Sequence, residues 1–193
     1  MNLVDRESAL NTLKSGLPII FPTDTLPAIG CLPEFSNVIY KFKKRDKNKP
    51  LILMGSEQKQ LIDYVHVSAK EDYENISSNY WPGALTMVIP SSEKKTLILT
   101  SKDLTLGLRI PNSQIAQSLM KVTGPLLTSS ANISGFVGSM TAEGIALDFP
   151  SLNILGPIPW EKSSGKASTI ISWRKSGDWR IIREGEVLVR DLN

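Results

Sequence analysis

The chain is poor in the residues from which most active sites are built. Its 193 residues include one cysteine, Cys31, which excludes an internal disulfide and a cysteine-based metal cluster. The single histidine, His66, lies between Val65 and Val67 and reads as a structural residue. A histidine-based triad or zinc site would lack its ligands. No apolar run approaches the roughly 18 residues that a membrane helix needs. The first ten residues, MNLVDRESAL, carry charge where a secretory signal is apolar. The expected location is cytoplasmic, with no membrane partner, and the lone thiol fits a reducing compartment.

The familiar phosphate motifs are missing as well. Gly165-Lys166 has Trp160 where a P-loop needs its first glycine, and Ala167 where it needs Ser or Thr. There is no G-x-G-x-x-G fingerprint and no G-x-S-x-G elbow. Carboxylates do not pair at strand ends, where Asp24 stands alone, and no protein metal site is expected.

What is present is an ordinary soluble composition, 41% hydrophobic and 21% charged, with a net charge of +3. That charge permits an anionic ligand without requiring one. No repeat, low-complexity tract or linker divides the chain. Residues 1–193 are therefore expected to form a single-domain α/β fold, a twisted mixed sheet flanked by helices. Apolar spacing predicts helices over 5–15, 34–45, 56–65, 68–80, 113–122 and 141–147, with Ser68 and Glu71 at capping-box spacing. Strands are expected over 17–21, 51–54, 84–89, 96–100, 104–110, 125–127, 152–155, 168–172, 179–182 and 187–189. Residues 156–165, GPIPWEKSSG, read as a mobile loop over a site.

The chain is organised around residues 124–135, GPLLTSSANISG. A short apolar strand there runs into Thr128, Ser129, Ser130 and Asn132, and open α/β sheets bind ligands where strands end. A Ser/Asn-rich surface turn is the plainer alternative. Thr23-Asp24-Thr25 repeats the pattern after the strand that ends at Phe21. A basic run holds six cations (Lys41, Lys43, Lys44, Arg45, Lys47, Lys49) against Asp46. A solvated helix end also explains such a run. Arg109 lies inside an apolar strand, Arg183 ends another, and Ser168-Thr169 begins a third beside Lys166. An arginine in such a strand needs an anion, either a ligand or a structural carboxylate. Together these residues offer many donors and little general-base capacity, which suits phosphoryl or nucleotidyl transfer.

The motifs that carry a family resemblance are FPTDTLPAIGC (21–31), KFKKRDKNKPLIL (41–53), WPGALTMVIP (81–90), TLGLRIP (105–111), LLTSSANISG (126–135), STII (168–171) and IIREGEV (181–187). In this order the chain resembles the YrdC/TsaC-like family, the threonylcarbamoyl-AMP synthases. The resemblance implies the YrdC-like fold with a large basic cavity. It also implies a reaction of L-threonine, bicarbonate and ATP that yields threonylcarbamoyl-AMP and pyrophosphate for threonylcarbamoyladenosine modification of tRNA. By the resemblance, Thr25, Met54, Arg109, Thr128 and Ser168 fall at threonine-contacting positions. Arg45, Lys49, Thr105, Ser130, Asn132, Gly138 and Arg183 fall at nucleotide positions, and Lys43 and Arg45 form the K-x-R signature assigned to catalysis. Mg2+ with the ATP, downstream threonylcarbamoyl-transferase proteins, and binding of tRNA or double-stranded RNA are further implications. The chain departs from the family pattern at Pro27 and Ala28, at Met54 where many relatives carry histidine, and at Lys49 where asparagine is usual. Two other functions stay open: a related carbamoyl-adenylate former with a different amino acid, and a non-catalytic RNA-binding module using Lys41 to Lys49.

Overall fold

The computed structural model describes residues 1–92 and 104–189. The described strands are β1 (Asn2–Val4), β2 (Ile19–Phe21), β3 (Ala28–Cys31), β4 (Ile52–Met54) and β5 (Leu85–Pro90). They continue with β6 (Thr105–Arg109), β7 (Leu126–Ser130), β8 (Asn153–Leu155), β9 (Thr169–Lys175) and β10 (Asp178–Arg183). They form one sheet in the order β1-β8-β2-β3-β7-β4-β6-β5-β9-β10. The sheet is mixed: β4 runs parallel to β6 and β5 to β9, whereas β3 and β4 both run antiparallel to β7.

Side-chain alternation with period two divides each strand between the sheet's faces. On one face Ile20, Ile29, Leu53, Leu85, Met87, Leu108, Leu127 and Ile171 join the larger core. Helices Asn37–Lys43, Lys70–Tyr80 and Ala142–Asp148 cover it with Ile39, Tyr73 and Ile145. On the other face Ile19, Phe21, Ala28, Met54 and Leu126 meet helices Arg6–Lys14 and Gln114–Thr123 through Ala9, Leu13, Ala116 and Leu119. Both of those helices start on side-chain caps, Asp5 accepting from the Ser8 amide and Ser113 from the Ala116 amide. The residues of that face along β4, β6, β5 and the start of β9 line an open cavity instead.

Several expectations need correction. Strands β1 and β3 were not anticipated. The 187–189 segment is not a strand; Val187 instead gives its carbonyl to the Thr169 hydroxyl at 2.5 Å. The 56–65 helix is one turn, Gln58–Leu61, followed by a 3-10 turn. Ser68 caps no helix, because the helix begins at Lys70 and the Ser68 hydroxyl is bonded to His66 Nδ1 at 2.9 Å. The strand expected over 96–100 lies outside the described residues. The 156–165 loop is fastened to the strand-end cluster, Ser164 N–H donating to Asp24 O at 3.1 Å and Gly165 N–H to Thr25 O at 3.3 Å.

Candidate active site

Six strands that are neighbours in the sheet, β3-β7-β4-β6-β5-β9, send residues into one cavity of about 620 Å3. Its floor is β6, with Thr105, Gly107 and Arg109 facing inward while Leu106 and Leu108 face the core. Strands β4 and β5 add Ile52, Met54, Thr86 and Val88, and β7 adds Thr128 and Ser130. Among the described residues five cations line the cavity (Arg45, Lys47, Lys49, Arg109, Arg183) and no carboxylate does.

One end is dry and held by hydrogen bonds within the fold. Arg109 is 3% exposed, and its guanidinium donates from Nε to Gly83 O at 3.0 Å, from Nη1 to Thr25 Oγ1 at 2.8 Å and from Nη2 to Asp24 Oδ1 at 2.7 Å. Both readings of this arginine therefore hold at once: it is ion-paired with Asp24 and it faces the cavity. Of the five N–H groups on a guanidinium, the two left over can take a ligand carboxylate. Burial pulls Arg109 below its ordinary pKa, and Asp24 opposes that pull. The Asp24–Thr25 turn is itself braced, because Thr23 Oγ1 donates to Leu26 O at 2.7 Å and Asn112 N–H donates to Asp24 Oδ1 at 3.1 Å. Next to it the Ser168 and Thr86 hydroxyls are 2.8 Å apart, and Arg183 donates from Nε and Nη2 to Ser168 O at 3.1 and 2.8 Å.

The other end is open and cationic. Arg45 donates to Lys49 O at 3.3 Å and Pro50 O at 3.0 Å, so backbone carbonyls hold it while Lys47 and Lys49 reach solvent. Lys43 does not line the cavity. It is 1% exposed beneath it and donates to Ser130 O and, at 3.3 Å, to Asn132 Oδ1. Burial first and then Arg45 pull its amine down to about 7. Asn132 accepts from Ser130 Oγ at 2.5 Å and donates to Phe136 O at 2.7 Å, which fixes the turn after β7. Gly138 packs against Asn132, where a Cβ would come within 2.8 Å of the Asn132 Cβ.

Ten of the residues expected at the site line this cavity: Thr25, Arg45, Lys49, Met54, Thr105, Arg109, Thr128, Ser130, Ser168 and Arg183. Lys43, Asn132 and Gly138 form the layer beneath and beside it rather than its wall. Sequence reasoning missed Thr86, Val88, Gly107 and Ile170. Inward alternation along LTMVIP and TLGLR was the available signal for the first three. Among the described residues no three His, Cys, Asp or Glu side chains come together.

Residues 11–185 match the Sua5/YciO/YrdC family model, described as "Telomere recombination". A Buchnera aphidicola protein named threonylcarbamoyl-AMP synthase is 31% identical over 179 residues, covering 89% of this chain and 96% of its own length. A Vibrio parahaemolyticus protein of the same name is 30% identical over 145 residues, 72% of this chain and 78% of that protein. Among solved structures, P. abyssi Sua5 complexed with L-threonine superposes with a TM-score of 0.85 at 26% identity, over 96% of this chain and 58% of that longer one. E. coli YciO shares the fold, with a TM-score of 0.80 at 21% identity over 100% of this chain and 98% of that chain.

Proposed function

The chain belongs to the Sua5/YciO/YrdC family, and from that premise we propose that it is a threonylcarbamoyl-AMP synthase. L-Threonine, bicarbonate and ATP give threonylcarbamoyl-AMP, pyrophosphate and water. The observation that carries this reading is the shared cavity, with a buried arginine at one end and three loosely held cations at the other.

Arg109 takes the α-carboxylate of threonine on its two uncommitted N–H groups, with Thr25, Thr128 and Ser168 around it and Met54 as an apolar wall. The amine then faces the middle of the cavity, where its nitrogen attacks bicarbonate carbon and a bicarbonate oxygen leaves as water, taking up an amine proton, to give a carbamate. Arg45, Lys49, Thr105, Ser130 and Arg183 hold the triphosphate, and Lys43, Asn132 and Gly138 set the turn that presents Ser130. A carbamate oxygen attacks the α-phosphorus and pyrophosphate leaves. Two such anions 4 Å apart repel by about 4 kcal/mol at an effective dielectric near 20, and Arg45 and Arg183 offset that repulsion. Because no carboxylate among the described residues lines the cavity, magnesium would arrive bound to the triphosphate.

The product feeds adenosine modification in tRNA through downstream transferase proteins in the cytoplasm. The exposed Lys41, Lys44, Lys47 and Lys49 support an RNA contact beside the site, tested by binding that weakens steeply with salt. The catalytic reading is tested by pyrophosphate release from ATP over a panel of amino acids. Release should require threonine and bicarbonate, and Arg45→Ala should abolish it. Equal release without an amino acid would overturn the assignment, and preference for another amino acid would make the chain a related carbamoyl-adenylate former.

A further inference from the structure

Thr86 is a polar residue of the cavity wall that the proposed reaction leaves without a task. It is fully buried on β5, its methyl lies over Gly107, and among the described residues its hydroxyl has one hydrogen-bond partner, Ser168 Oγ at 2.8 Å. The parallel pairing of β5 with β9 sets this contact, because Leu85 stands opposite Thr169 and Thr86 opposite Ile170, two residues beyond Ser168 and on the same face. Ser168 Oγ also lies 3.3 Å from Arg183 Nη2, a group that can only donate.

A buried hydroxyl proton needs an acceptor, and for Thr86 the available one is Ser168 Oγ. Thr86 therefore donates and Ser168 accepts, from Thr86 and from Arg183. Both lone pairs of Ser168 are then engaged, and its own proton is the one left to turn into the cavity. We propose that Thr86 is a positioning residue that orients the Ser168 hydroxyl as a donor to the carboxylate or carbamate of the bound amino acid. This inference rests on the assignment of the Arg109 end of the cavity to the amino acid. Without the Thr86 hydroxyl, Ser168 would turn its proton elsewhere, and the amino acid would lose a charge-assisted hydrogen bond while the ATP end kept its contacts.

The test is steady-state pyrophosphate release by wild type, Thr86→Val and Thr86→Ser, with kcat and KM measured separately for L-threonine and ATP. Valine keeps the shape and the methyl, and serine restores the hydroxyl. The expected result is a loss of about tenfold in kcat/KM for threonine in Thr86→Val, with KM for ATP within about twofold and near-complete recovery in Thr86→Ser. The double variant with Ser168→Ala should be no worse than Ser168→Ala alone. Wild-type kinetics in Thr86→Val, an equal loss toward both substrates, or a serine variant no better than valine would each overturn the role. Additive losses in the double variant would overturn it as well. A wild-type protein that releases no threonine-dependent pyrophosphate would overturn the synthase reading and this inference together, which separates that failure from the others. Should Thr86→Val not fold, the Thr86→Ser and Ser168→Ala pair decides. Wild-type threonine kinetics in the first and a selective threonine defect in the second support the role; any other pattern sinks it.

Discussion

The two ends of the cavity carry charge of the same sign and hold it in opposite ways. At one end Arg109 is 3% exposed, fixed by three hydrogen bonds and paired with Asp24 before any ligand arrives. At the other, Arg45 is held by two backbone carbonyls, and Lys47 and Lys49 are exposed. The difference follows from where each residue sits. Arg109 is in the middle of a sheet, where an unpaired charge is too costly, so the fold supplies a carboxylate. Arg45, Lys47 and Lys49 follow a short helix that ends on Lys44 in the left-handed conformation, where water carries the solvation. A preset end suits a small ligand read by geometry, and a compliant end suits a polyanion read by charge.

The sharpest way to break this comparison is at the dry end. Arg109→Met should lower threonine-dependent turnover by about a thousandfold, and should destabilise the protein by roughly 3–5 kcal/mol because Asp24 loses its buried partner. Thermal melting beside the activity assay reads both. A variant that melts like wild type would show that the ion pair is not part of the fold's foundation.

A smaller effect concerns Lys43, which underlies the open end. Its folded pKa is about 7 against an ordinary 10.5, so between those values the unfolded chain binds a proton that the folded chain lacks. Stability should therefore rise as pH climbs from about 7 to 10.5, and Lys43→Met should flatten that rise. Melting temperature against pH checks the sign; a fall over this window that the variant abolishes would refute it.

The smallest effect belongs to the exposed cations. Lys47→Ala with Lys49→Ala should raise KM for ATP a few-fold and shallow its salt dependence, leaving KM for threonine and the melting temperature unchanged. A threonine-side defect of equal size would erase the distinction between the ends.

How much of this was legible from the residues alone depended on the same dry and wet division. LTMVIP and TLGLR announced strands because alternation and β-branched residues report burial on one face. The hydroxyl cluster after β7 and the basic run also announced themselves. Strand β3 did not, since AIGC follows Pro27 and one of its two antiparallel neighbours, β7, is far off in the chain. The segment VLV at 187–189 misled in the other direction. Its path is set by Gly185, which runs so close to the backbone of Ser168 and Thr169 that an added Cβ would lie 2.4 Å from one and 2.5 Å from the other. The partner of Arg109 could not be chosen by spacing, because Asp24 is brought to it across 85 residues. Nor could spacing show that Lys43 lies under the cavity while Arg45, two residues on, lines it.

The most direct test is a structure of the protein soaked with L-threonine and a non-hydrolysable ATP analogue. The carboxylate should sit about 3 Å from the Arg109 guanidinium, with the phosphates spanned by Arg45, Ser130 and Arg183 in the same cavity. A nucleotide bound outside it, or a threonine carboxylate nearer Lys47 and Lys49 than Arg109, would contradict the account.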